Sequence, residues 1–164
     1  MPSVSHTYEG MPVSLLASIR FKNGTVENMK VNGSVVPQVF TATIPEGYRL
    51  IANRCLFYLE GTTGFDSIKF GNLSRLTNGV KFTMDTGDIV FFDNLDIVLR
   101  CQEVFAISAF AKTDRQMNGM MDFEHITGGE GVYLQGSPTI TIRDDLSLIS
   151  VFMCEIQGEL VHAD

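Results

Sequence analysis

Apolar positions along this chain fall in short runs with a period of two, separated by frequent turn signals. In residues 49–60, Ile51, Cys55, Phe57 and Leu59 are expected to share one face, while Arg49, Leu50, Ala52, Arg54, Tyr58 and Glu60 form a mixed set. Such alternation marks a strand that buries one side. Residues 139–143 repeat the pattern, with Ile140 and Ile142 set between Thr139, Thr141 and Arg143. Residues 103–110 and 148–157 are apolar on both phases, which predicts central strands covered from two sides.

Runs near residues 15–21, 28–31, 39–43, 48–60, 80–84, 89–92, 103–110, 132–134, 139–143 and 148–157 predict an all-β protein. The expected architecture is an antiparallel β-sandwich of the Greek-key or jelly-roll class, jelly-roll-like, with about eight to ten strands. Two Asn-Gly pairs, Asn32-Gly33 and Asn78-Gly79, offer the positive backbone angles of two-residue turns and predict two hairpins. Fifteen Gly and five Pro leave only residues 88–118 long without either, so at most one or two short helices fit. One candidate begins at Asp93-Asn94-Leu95-Asp96, whose side chains could cap a short helix through Arg100.

At 164 residues the chain can bury roughly 70% of the surface it exposes when unfolded, enough for one core without disulfides or metals. Residues 15–164 are therefore read as a single β-sandwich domain. Residues 1–14 follow neither period but contain Tyr8, Met11 and Val13, and they read either as an arm that orders on a neighbour or as a frayed terminus. Twelve Lys+Arg against nineteen Asp+Glu give a formal charge of −7, and no basic cluster is present, which argues against nucleic acid as a partner. The charge is uneven: residues 1–84 hold 8 basic and 5 acidic side chains, residues 85–164 hold 4 and 14. Complementary fields steer association, so this split predicts an acidic surface from the second half and more of the contact from the first. No apolar run is long enough for a membrane helix, and the start lacks the basic and apolar blocks of a leader. Cys55, Cys101 and Cys154 are odd in number and set among apolar residues, as reduced buried thiols of a cytosolic product would be.

Candidate chemistry is thin. His6, His125 and His162 are far apart, with no His-x-His, so a cupin-type metal site has no ligand set. There is no G-x-S-x-G elbow for a serine nucleophile. Gly128-Gly129-Glu130-Gly131 lacks the Lys-Ser/Thr of a phosphate loop and a following helix, and is expected to be a mobile loop. Asp85, Asp88, Asp93, Asp96, Asp144 and Asp145 could meet as a glycosidase pair or a calcium site, but Asp144-Asp145 sits between two strands, where Asp bonds its own backbone in a turn. No catalytic residue, metal ligand or cofactor is assigned, and the chain is read as a non-enzyme.

The remaining feature is residues 112–125, KTDRQMNGMMDFEH, with Met117, Met120 and Met121 around Gly119 and just before Phe123. Met adapts to partner surfaces. The segment reads either as a contact loop or as a loop folded back on its own core. With the possible arm it supplies the candidate interface: Tyr8, Met11, Met117, Met120, Met121 and Phe123.

Val31-Asn32-Gly33, the Thr-Ile-Pro-Glu-Gly stretch at 43–47, Phe70-Gly71-Asn72-Leu73 leading to Leu76-Thr77-Asn78-Gly79, and Ile142-Arg143-Asp144-Asp145-Leu146 together resemble small structural proteins of tailed-bacteriophage virions. The resemblance covers roughly residues 28–157. It implies a jelly-roll-like sandwich made in the bacterial cytoplasm and carried on the capsid surface, commonly as a cement or decoration protein with no catalytic residues. The implied partners are the major capsid protein and further copies of the chain, as dimers or trimers. Two other readings remain, a tail or receptor-binding module and a small cupin-like β-sandwich enzyme.

Overall fold

A computed structural model describes residues 3–4, 14–62, 73, 76–84, 89–95, 107–113, 116–123, 131–134 and 137–163. Every named element among them is a strand: β1 (Ser3–Val4), β2 (Ser14–Arg20), β3 (Gln38–Thr41), β4 (Tyr48–Glu60), β5 (Val80–Met84), β6 (Ile89–Leu95), β7 (Ile107–Thr113), β8 (Gln116–Asp122), β9 (Val132–Leu134), β10 (Thr139–Ile142) and β11 (Val151–His162). They form two antiparallel sheets. The larger runs β1-β2-β11-β4-β8-β7, with β9 also paired to β4, and the smaller runs β3-β10-β5-β6. At Ser3 and Val4, within the expected arm, the backbone pairs with Leu16 and Leu15 of β2.

One apolar cluster joins the sheets. Phe40, Val80, Phe82, Ile140 and Ile142 from the smaller sheet share it with Leu50, Ala52, Cys55, Phe57, Leu59, Phe152, Cys154, Ile156 and Leu160 from the larger. Phe82 lies at its centre, edge-on to Phe21 at 5.7 Å and to Phe123 at 6.3 Å. Edge-to-face rings at this spacing gain about 0.5–1.5 kcal/mol beyond the area they bury.

The two long strands β4 and β11 pair over nearly their whole lengths, with one irregularity. Gln157 faces Arg54 while Gly158 faces Ala52, so Asn53 is an extra residue, a β-bulge. The bulge corrects the expected phase of residues 49–60. Leu50 and Ala52 are buried and Ile51 is half-exposed, because one inserted residue moves every position before it to the opposite face. Gly158 is required there: a Cβ would fall on the backbone carbonyl oxygen of Ile51.

Several other expectations change. Residues 148–157 do not form a strand covered on both sides: β11 buries Phe152, Cys154, Ile156 and Leu160, and its alternate positions remain half-exposed. β7, which overlaps the proposed central strand at 103–110, stands at the end of the larger sheet among the described residues. Asp93, Asn94 and Leu95 belong to β6 rather than to a helix cap, and residues 96–100 lie outside the described residues. Asn32-Gly33 does not turn a hairpin. Asn32 bridges to Asp145, the Gly33 amide donates to the Asp144 carbonyl (2.9 Å), and the Leu146 amide donates to the Val31 carbonyl (2.8 Å). A Cβ at Gly33 would collide with the Ile142 carbonyl, so glycine permits this close approach of two chain segments.

Candidate functional site

The second Asn-Gly pair performs a different task. Leu76 to Gly79 leads into β5, and Gly79 takes a φ of 72°. The backbone amides of Thr77, Asn78 and Gly79 all point at the carboxylate of Asp144, at 3.0, 3.1 and 2.8 Å. Successive amides in a turn form a concave anion site, and here the anion is the protein's own side chain. Asn78 and Arg143 complete the clasp: Asn78 Nδ2 donates to the Arg143 carbonyl (3.0 Å), and Arg143 Nη2 donates to the Asn78 carbonyl (2.9 Å). Asp145 instead accepts from the Ser147 amide (3.0 Å) and hydroxyl (2.6 Å), a local turn, and these bonds hold its carboxyl below its ordinary value. Of the two neighbouring acids, only Asp145 bonds the backbone beside it. Asp144 bridges 65 to 67 residues of sequence.

The larger sheet offers the broader candidate. Residues directly opposite across antiparallel strands share a face. Tyr58 lies between Met153 and Asn118, Leu56 between Glu155 and Met120, and Arg54 between Gln157 and Asp122. All nine are on the side of the sheet away from the shared core. A cavity of about 420 Å³ opens there, with Leu56, Tyr58, Met120 and Met153 as its apolar lining and Arg20, Asn118 and Glu155 as polar members.

Arg20 pairs with two carboxylates on this face, and neutral side chains bond several of the other charges. Arg20 lies 3.0 Å from Glu27 and 3.7 Å from Glu155. Ser18 donates to Glu155 (2.8 Å), Gln157 donates to Glu155 (3.1 Å), and Arg54 donates to Gln157 (2.8 Å). The Tyr58 hydroxyl donates to Glu60 at 2.9 Å; that carboxylate opposes formation of a phenolate and raises the Tyr58 pKa. Exposed ion pairs and hydrogen bonds of this kind contribute about 0–1 kcal/mol each, so they border the apolar centre without adding much stability.

The expected division of charge between chain halves is not seen on this face. Arg20 and Arg54 come from the first half, Asp122 and Glu155 from the second, and antiparallel pairing interleaves them.

Of the candidate interface residues, Met120 lines this cavity. Phe123 is a correction: it is fully buried and packs on Phe82 in the core. The segment that carries them is not a loop, since Gln116–Asp122 is strand β8, bonded to β4 and β7. Met117 and Met121 stand opposite Leu59 and Cys55 in backbone register. Tyr8 and Met11 lie outside the described residues. Met153, Leu56 and Tyr58 were missed as interface candidates, although their even spacing on adjacent strands was readable; only the pairing of β4 with β11 and β8 brings them together.

Among the described residues no group of three His, Cys, Asp or Glu side chains is placed to hold a metal ion. His162 stacks on Tyr48 at 4.9 Å, and His6, His125, Asp85, Asp88 and Asp96 lie outside the described residues. Among the described residues, no helix is long and apolar enough to cross a membrane. Compared with known proteins, the chain matches no family model, no curated protein and no solved structure.

Proposed function

We propose that this chain is a non-enzymatic structural component of a tailed-phage virion, a cement or decoration protein that binds at junctions between capsid subunits and stabilises the shell. On this reading the fold is a jelly-roll-like β-sandwich, made in the bacterial cytoplasm and displayed on the capsid surface. Its partners are the major capsid protein and further copies of itself, as a dimer or trimer; nucleic acid and membrane are not partners.

The observation that carries the reading is the outer face of the larger sheet. Leu56, Tyr58, Met120 and Met153 give it an adaptable apolar centre, with the Arg20–Glu155 ion pair beside it. Such a face can dock on another protein through its apolar centre, and Tyr and Met are enriched in contacts of this type. The sequence resemblance to small virion proteins supplies the particle.

Protein stoichiometry of purified particles tests the proposal. The expected result is this chain in tens to hundreds of copies on the shell, with Met153→Glu protein folded but lost from particles. Absence from particles, or presence in only a few copies, refutes the cement reading. Retention of Met153→Glu at wild-type occupancy refutes the assignment of the face.

A further inference from the structure

Cys55 on β4 and Cys154 on β11 occupy the two longest strands of the larger sheet, 99 residues apart in sequence. They are 0% and 2% exposed. Cys55 stands opposite Ile156, and Cys154 opposite Phe57, so the two cysteines are diagonal neighbours on the core side. Diagonal neighbours in a flat antiparallel pair sit about 7–8 Å apart. Strand twist shortens one diagonal at the expense of the other, and the bulge at Asn53, two residues from Cys55, increases that twist locally. The sulfurs end 3.1 Å apart. Filling a core requires apolar volume, not a contact between two sulfurs.

We propose that Cys55 and Cys154 form a reversible oxidation site that closes to a disulfide tying β4 to β11, with a peroxide or a small disulfide as oxidant. With hydrogen peroxide, one thiolate sulfur attacks an oxygen, the O–O bond breaks, and the departing hydroxide takes up a proton, leaving a sulfenic acid. The second sulfur then attacks the first, the S–O bond breaks, the S–S bond forms, and a second water leaves. Two thiols and one peroxide thus become one disulfide and two waters. With a small disulfide as oxidant, two exchange steps release two small thiols.

Burial holds the Cys154 thiol well above its ordinary value, assisted by its hydrogen bond with Cys55, so its thiolate is disfavoured near neutral pH. A reducing cytosol keeps the pair open, and an oxidising exterior closes it. The site stands independently of the virion reading.

The test uses the full chain, reduced and then exposed to hydrogen peroxide or oxidised glutathione at about pH 8.5, near the ordinary thiol value. After denaturation and alkylation, mass spectrometry is expected to show two of the three thiols consumed, two hydrogens lost, and one peptide joining Cys55 to Cys154. Dithiothreitol reverses the change, Cys101→Ser leaves it intact, and Cys55→Ala abolishes it. Because the link closes a long loop in the unfolded chain, Tm rises by about 10 °C on oxidation. Three alkylated thiols after treatment, a link through Cys101, or oxygen added to the sulfurs in place of hydrogen loss would each overturn the proposal.

Discussion

Removing the Asp144 carboxylate should loosen the smaller sheet more than any other single polar change. Asp144 is 8% exposed and accepts from three consecutive backbone amides, of which the Gly79 amide is buried. A hydrogen bond to a charged group contributes about 1.5–3 kcal/mol, and a buried donor left without a partner costs about 1–3 kcal/mol. The three bonds share one carboxylate, so they do not add in full. Water can also reach the partly buried Thr77 and Asn78 amides once the side chain is gone. The expected loss for Asp144→Ala is therefore about 3–4 kcal/mol, a large share of the roughly 5–15 kcal/mol that holds a domain together.

Urea unfolding is the assay. With a slope of about 2 kcal/mol per molar urea, the midpoint falls by about 1.5–2 M. Asp144→Asn keeps the shape and one acceptor oxygen but turns an NH2 group toward three donors, so it recovers only part of the loss. Amide exchange at Gly79 should accelerate in both variants, with β10 and β5 following, because Asp144 joins the end of β10 to the turn before β5. A loss under about 0.5 kcal/mol for Asp144→Ala, within the usual range for surface changes, would refute this account of the clasp.

Gly158→Ala should cost about 2–3 kcal/mol by thermal or urea unfolding, since the new methyl meets the Ile51 backbone in a bulge that cannot yield without shifting β4 against β11. Gly24→Ala is its control: a φ of 61° with nothing within 4 Å predicts only the cost of a left-handed residue, about 1 kcal/mol, and equal losses at the two sites would refute the steric argument. Alkaline conditions should destabilise the reduced protein. Cys154 and Tyr58 both hold their protons more tightly when folded than their ordinary values of 9.0 and 10.0. The unfolded chain ionises first, so their contribution is complete below about pH 9 and is lost as pH rises beyond it. Tyr58→Phe should flatten the upper part of that decline, and a midpoint unchanged between pH 8 and 10.5 would contradict the assignment.

The bounds of several strands were legible in the sequence from local alternation and turn signals. β4, β5 and β9 begin and end where the alternation and turn signals place them, and Ile140 and Ile142 are buried as their spacing predicts. That information is local, because the pleat sends successive side chains to opposite faces whatever the strand pairs with. β8 was illegible for the same reason. Gln116, Asn118 and Asp122 made it look too polar for a strand, and only its place between β4 and β7 shows that Asn118 and Asp122 line an outer face.

Pairing and register came from the tertiary structure alone. The extra residue Asn53 reverses which of Leu50 and Ile51 enters the core, although nothing in residues 49–60 marks it; the cause lies on the partner strand, at Gly158. Asn32-Gly33 has the composition of a hairpin turn, yet its hydrogen bonds go to residues 144–146, because a glycine that can make a turn can equally admit a distant backbone. The amides that receive Asp144, the sulfur that meets Cys55, and the side chains that gather Met120 into an apolar face are each brought in from many residues away. Residue type sets what each side chain can do. Which partner it meets depends on strand register, which is fixed by the packing of the whole core rather than by any neighbouring residue.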